Sequence, residues 1–225
     1  MASVFTLNIS GTMLAILFGL LVFVFGLNMW WYFIAVMVDF LVLSAIVTRA
    51  KDEEKEKLRG YEKERSWKNV VANGIVPVIM VFFYFLNARS PFTIQSILVY
   101  SFVAAMSAIT ADKFASELGV LDGEPVMLLT LKKAKKGMSG GVTWFGTLMG
   151  LIASILIALT VFAISAPVTA FIVIVVSGFV GNVVDSIFGY FEEKGIGNKF
   201  TSNILCSIAG SVFCAAVFLA VPSLL

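Results

Sequence analysis

Residues 1–39 read MASVFTLNISGTMLAILFGLLVFVFGLNMWWYFIAVMVD, and the first charged side chain in the protein is Asp39. Thirty-eight uncharged residues in one helix would run about 57 Å, nearly twice the roughly 30 Å hydrocarbon core of a bilayer. The run must therefore fold back on itself. Gly26-Leu27-Asn28 is the polar, flexible break within it, and Trp30, Trp31 and Tyr32 follow as an interfacial aromatic belt. Met1 to Asn8 carries no Lys or Arg, as a secretory signal would, so the first span is expected to stay in the protein.

Outward from this stretch, apolar runs recur at about 70–86, 92–111, 142–164, 167–190 and 201–221. With the first two they predict an all-α polytopic membrane protein of about seven transmembrane helices, residues 1–225 forming a single domain. Composition agrees, with 60% apolar or aromatic residues and 13% charged, about half the charged share of a soluble domain. The expected polar loops on one side are about 50–68, 116–141 and 191–200. With their flanks they hold fifteen of the sixteen Lys and Arg residues, all but Arg89. The positive-inside rule then puts the N-terminus and these loops in the cytoplasm and the C-terminus outside. The expected setting is a prokaryotic cell membrane. A cysteine introduced near Glu54 should be protected from an impermeant thiol reagent in intact cells, and one near Ser90 should be labelled; the reverse pattern would invert the topology.

Several chemistries are excluded. A net charge of +2 without a basic stripe does not suit a nucleic-acid binder. No histidine occurs, which removes His-based triads and the usual zinc sites. Cys206 and Cys214 lie eight apart in one apolar run, about 12 Å along a helix and too far for a disulfide.

Charged groups at span ends are functional candidates by default, because they are expensive there. Asp112, Lys113 and Glu117 end the fourth span, and Asp185 lies near the end of the sixth in Gly178-Phe-Val-Gly-Asn-Val-Val-Asp-Ser-Ile-Phe-Gly189. Gly178, Gly181, Asp185 and Gly189 share one side of that helix, with Asn182 about 60° from Asp185. The glycines read as a packing surface; the carboxylate, Asn182 and Ser186 read as hard oxygen ligands suited to Mg²⁺. Asp112 and Glu117 are separated by about 140° on an ideal helix, so either the helix unwinds before Gly119 or the two hold different partners.

Two further stretches are polar. Leu131-Lys-Lys-Ala-Lys-Lys-Gly-Met-Ser-Gly-Gly-Val142 reads as a topology signal or, through Lys136, Gly137, Ser139, Gly140 and Gly141, as a phosphate cradle before a helix start. It lacks the Walker order. Arg65, Asn69 and Asn73 recur every four residues at the start of the third span, either snorkelling or facing a polar cavity able to bind phosphate oxygens.

The ordered set resembles the integral-membrane family that contains plant phytyl-phosphate kinase. The resemblance runs through Ser10-Gly11, Gly19, Arg65, Asn69, Ala72-Asn73-Gly74, Ala111-Asp112, Ala115-Ser116-Glu117-Leu118-Gly119, Gly137, Gly140-Gly141-Val142, Gly181, Asp185-Ser186 and Gly189. Lys113, Ser139 and Asn182 stand where that family carries threonine, asparagine and serine. The resemblance implies a CTP-dependent kinase converting an isoprenyl monophosphate to the diphosphate. Asp112, Glu117 and Asp185 would be catalytic and hold Mg²⁺, and the glycine loop, Lys136, Arg65, Asn69, Asn73, Asn182 and Ser186 would bind phosphate or nucleotide. A prenol or dolichol kinase, a cytidylyltransferase making a CDP-lipid, and a cation or proton transporter are the rival readings. The sequence does not decide between a monomer and a homo-oligomer.

Overall fold

The computed structural model describes residues 7–50, 66–164 and 166–225. The charged stretch 51–65, with Arg65, lies outside them. Seven long helices follow in order: α1 Ile9–Phe25, α2 Trp30–Arg49, α3 Trp67–Leu86, α4 Phe92–Gly119, α5 Trp144–Ile164, α6 Val168–Glu193 and α7 Lys199–Ala220. Among the described residues, six have the length and apolarity to cross a membrane, while α1, at 17 residues, is shorter.

The turn between α1 and α2 falls where the uncharged run contains its polar break. Gly26 closes α1, Leu27 takes φ 50°, and a short 3₁₀ turn covers Leu27–Met29. The Tyr84 hydroxyl of α3 donates to Asn28 Oδ1 at 3.0 Å and ties this corner to the bundle. Asp39, midway along α2, accepts a 2.6 Å hydrogen bond from Thr160 Oγ1 of α5, so this intramembrane carboxyl joins two helices.

Helix α4 is the axis of the bundle, with α2, α3, α5, α6 and α7 packed around it. Its inner residues are small: Ala104, Ala105, Ala108 and Ala111 are fully buried. Glycines of the surrounding helices meet them. A Cβ on Gly181 would sit 2.4 Å from Ala108 Cβ, one on Gly210 2.8 Å from the same atom, and one on Gly146 2.8 Å from the Ala115 carbonyl. Small residues facing one another let backbones approach closely, which is how helices associate where lipid is as apolar as the side chains. The packing reading of Gly178 and Gly181 therefore holds, and it is what brings α6 against α4.

One boundary is corrected, and the connection after it carries a short ribbon. The loop expected over 116–141 begins only after Gly119, because α4 continues through Asp112, Lys113 and Glu117: Lys113 and Glu117 pair within the helix, and Asp112 meets Lys199 of α7. Within the connection that follows, Val126–Met127 pairs antiparallel with Gly141–Val142 as a two-stranded ribbon, β1 and β2. Segments this short leave no alternation for a sequence reading to detect.

Candidate functional site

One end of the bundle encloses a cavity of about 570 Å³. Every expected site residue that is described lines it: Asn69, Asn73, Asp112, Glu117, Lys136, Gly137, Ser139, Gly140, Gly141, Asn182, Asp185 and Ser186. They arrive from α3, α4, α6 and the 120–143 connection, with the start of α7 closing the ring.

At the base, Asp112 of α4 and Asp185 of α6 share one cation. Lys199 Nζ lies 2.8 Å from Asp185 Oδ2 and 3.4 Å from Asp112 Oδ1. Both aspartates are buried, whereas the Lys199 side chain is 49% exposed. Lys199 was not anticipated as a site residue, since it reads as one more basic loop residue. Its position follows from capping: Thr201 N–H donates to Asn198 Oδ1 at 3.2 Å and Asn198 N–H to Thr201 Oγ1 at 2.9 Å. That reciprocal box makes Lys199 the first residue of α7.

Glu117 stands apart. Lys113, one turn earlier on α4, donates to Glu117 Oε1, and Thr48 Oγ1 of α2 reaches the same oxygen at 3.1 Å. The helix does not unwind, and the two carboxylates hold different partners. Among the described residues no three Cys, Asp or Glu side chains come together as a metal-holding group. Of the three carboxylates expected to hold Mg²⁺, Asp112 and Asp185 meet at Lys199, while Glu117 lies on Lys113 and Thr48. The aspartate pair does fit a hard cation: Asp185 Oδ1 is buried with no hydrogen-bond partner among the described residues, and Mg²⁺ is commonly held by one or two carboxylates together with substrate phosphates.

The glycine loop is arranged differently from a free cradle. Met138 N–H donates to the Lys135 carbonyl and Gly141 N–H to the Met138 carbonyl, while Ser139 N–H donates to Glu193 Oε1 of α6 at 3.1 Å. Three of the loop's amides are thus engaged, one of them by a carboxylate. Gly137 and Gly140 have φ of 82° and 76°, in the left-handed region that favours glycine. At Gly140 the loop touches α6: a Cβ there would lie 2.5 Å from the Tyr190 nitrogen, and one on Gly189 would lie 2.3 Å from the Gly140 nitrogen. The helix start behind the loop is capped by Thr143, whose Oγ1 accepts from Gly146 N–H at 3.0 Å and donates to the Gly119 carbonyl at 3.2 Å. Lys136 is exposed at the rim.

The amides also divide their work. Asn69 Oδ1 accepts from Ser66 N–H at 3.0 Å, capping α3. Asn73 Oδ1 accepts from Asn203 Nδ2 of α7 at 3.1 Å, and Asn203 is a second lining residue that the sequence reading passed over. Asn182 faces Gly150 of α5, where an added Cβ would lie 2.8 Å from Asn182 Nδ2. The Ser186 hydroxyl donates back to the Asn182 carbonyl at 3.2 Å.

No solved structure matches this chain. It is 29% identical over 188 residues to Uncharacterized membrane protein MJ0933 of Methanocaldococcus jannaschii, covering 83% of this chain and 76% of that protein. It is 31% identical over 180 residues to Protein PGR of Arabidopsis thaliana, covering 69% of this chain and 62% of the plant protein. A family model described as Integral membrane protein DUF92 matches residues 2–206, and this polytopic helical chain belongs to that family.

Proposed function

We propose that the protein is a CTP-dependent membrane kinase that phosphorylates an isoprenyl monophosphate to the diphosphate, with the cavity facing the cytoplasm. The observation that carries this reading is the pair of buried aspartates sharing a half-exposed lysine at the base of a cavity rimmed by a glycine-rich loop and Lys136. Phosphoryl transfer needs alignment and charge neutralisation more than covalent help from the protein. The acceptor is a phosphate monoester, ionised near neutrality with a second pKa of about 6, so a chain without histidine has all the acid–base chemistry it needs. An alcohol acceptor would instead need a general base.

Asp112 and Asp185 would hold Mg²⁺, which when bound neutralises charge on the nucleotide phosphates. Lys199, displaced from the aspartates, has the exposure and reach to donate to a phosphate oxygen. Lys136 screens the phosphates at the rim, and Asn73 donates to the acceptor. Glu117 acts through Lys113 and Thr48, fixing the end of α4 that carries Asp112.

Incubation of the purified protein with a prenyl monophosphate, Mg²⁺ and CTP labelled in the γ-phosphate should give labelled lipid diphosphate. Label from the α-phosphate should stay in CDP. Lipid labelled from the α-phosphate would make the protein a cytidylyltransferase, and efficient use of the free alcohol would make it a prenol kinase.

A further inference from the structure

A second, narrower cavity of about 90 Å³ lies between α1, α2, α3 and α4. It differs in character from the first. Its walls are largely apolar, with Ala15 and Phe18 of α1, Leu41 and Ala45 of α2, and Met106 of α4 among them. Asn69 and Asn73 line both cavities, so the polar chamber and the apolar groove meet at one turn of α3.

That junction is supplied with hydrogen-bond donors. Asn73 receives Asn203 on its Oδ1, which leaves its Nδ2 hydrogens to donate elsewhere. Ser44 also lines the groove, is 9% exposed, and its hydroxyl has no partner among the described residues. A buried hydroxyl without a partner is costly, and an oxygen entering the groove would satisfy it. Pro77, another lining residue, sits inside α3. It has no N–H to give to the carbonyl of Asn73 four residues earlier, so the helix is weakened where the two cavities join. Gly74 completes the passage: a Cβ there would lie 2.6 Å from the Phe18 ring, so the glycine leaves room for that ring beside the groove.

We infer that this groove binds the head-proximal hydrocarbon chain of a lipid phosphate, whose phosphoester oxygens lie at Asn73 and Ser44 and whose phosphate enters the polar chamber. A polar cavity alone would suit a soluble phosphate. An apolar groove alone would suit any lipid chain. Their meeting at paired donors selects an amphiphile with a single anionic head and a slender chain. The lipid faces of α1 and α2 are apolar next to the groove, with Ile16, Leu17, Val38 and Val42 exposed, so the rest of the chain can continue into the bilayer. The assignment rests on the lipid-phosphate reading of the polar cavity but not on the identity of the phosphoryl donor.

The test uses the full protein in lipid nanodiscs and a series of linear alkyl monophosphates. Each methylene buried in the groove should raise affinity about fourfold. Ala45→Phe fills the groove and should flatten that series, lowering affinity for the long members by about tenfold or more relative to the shortest. In the unaltered protein, an alkyl phosphate bearing a diazirine a few carbons below the head should crosslink to Ala15, Leu41 or Ala45, and unlabelled long-chain phosphate should compete. Crosslinks confined to the outer faces of α5 and α6, or an unchanged chain-length series in Ala45→Phe, would overturn the assignment. Competable crosslinking at α1 and α2 without phosphoryl transfer from CTP would keep the groove and remove the kinase reading.

Discussion

Asp185→Asn is expected to lower CTP-dependent phosphoryl transfer by about a thousandfold or more, with the protein still folded. The size follows from the charge removed: a carboxylate that holds a metal against transferring phosphates contributes several kcal/mol to transition-state stabilisation, and each 1.4 kcal/mol is tenfold in rate. The fold should survive because asparagine matches aspartate in shape and because Lys199, 49% exposed along its side chain, retains Asp112 and water as partners. Asp112→Asn should behave alike. Lys199→Met gives the converse result. It leaves two buried carboxylates facing each other without their shared cation, so thermal stability should fall in metal-free buffer. Millimolar Mg²⁺ should restore more stability in Lys199→Met than it adds to the unaltered protein, since a ligand of the folded state stabilises by RT ln(1 + [L]/Kd) and the aspartates bind Mg²⁺ more tightly without a competing ammonium. Near-normal rates in both aspartate variants, or no difference in the Mg²⁺ response, would make the pair a structural contact.

What the sequence disclosed and what it withheld divide along the range of the interactions. The fold-back at Gly26 to Asn28 was legible because hydrocarbon thickness limits any uncharged run, and no packing partner can alter that limit. Asp112 and Asp185 were legible because a carboxylate in a span has few uses. The end of α4 was misplaced, since hydropathy falls at Asp112 although Lys113 and Glu117 satisfy each other and the helix continues to Gly119. Lys199 was missed for the opposite reason. Its local setting is that of an ordinary basic loop residue, and only the approach of α4 and α6 at Ala108 and Gly181 brings two carboxylates to it. The Asn198-x-x-Thr201 box could have placed it at a helix start, but nothing local could have named its partners. The docking of Gly140 on Gly189 is similar: both glycines stand out in the sequence, while their mutual contact is a property of the fold.

The Lys113–Glu117 pair separates structure from chemistry in the same helix. Both side chains are nearly closed off, at 6% and 9% exposure, and they are held at i and i+4 with lysine N-terminal. That order is the less favourable one for an isolated helix, where such pairs contribute about 0.2–0.5 kcal/mol. Burial therefore sets the scale: removing the carboxylate strands the Lys113 ammonium, at a cost of about 3–5 kcal/mol. Glu117→Gln should lower stability by an amount in that range, measured by denaturation in micelles, because it leaves the Lys113 ammonium buried without its carboxylate, and Lys113→Met should cost less, since Glu117 keeps other partners, Thr48 among them. The double variant Lys113→Met/Glu117→Gln should be more stable than the sum of the single losses requires, because no buried charge remains; this coupling is what a double-mutant cycle measures. Turnover per folded molecule in Glu117→Gln should stay within about tenfold of normal, against about a thousandfold loss for Asp185→Asn. A collapse in turnover without loss of stability would instead make Glu117 a third ligand, reached by a movement of α4 that frees it from Lys113.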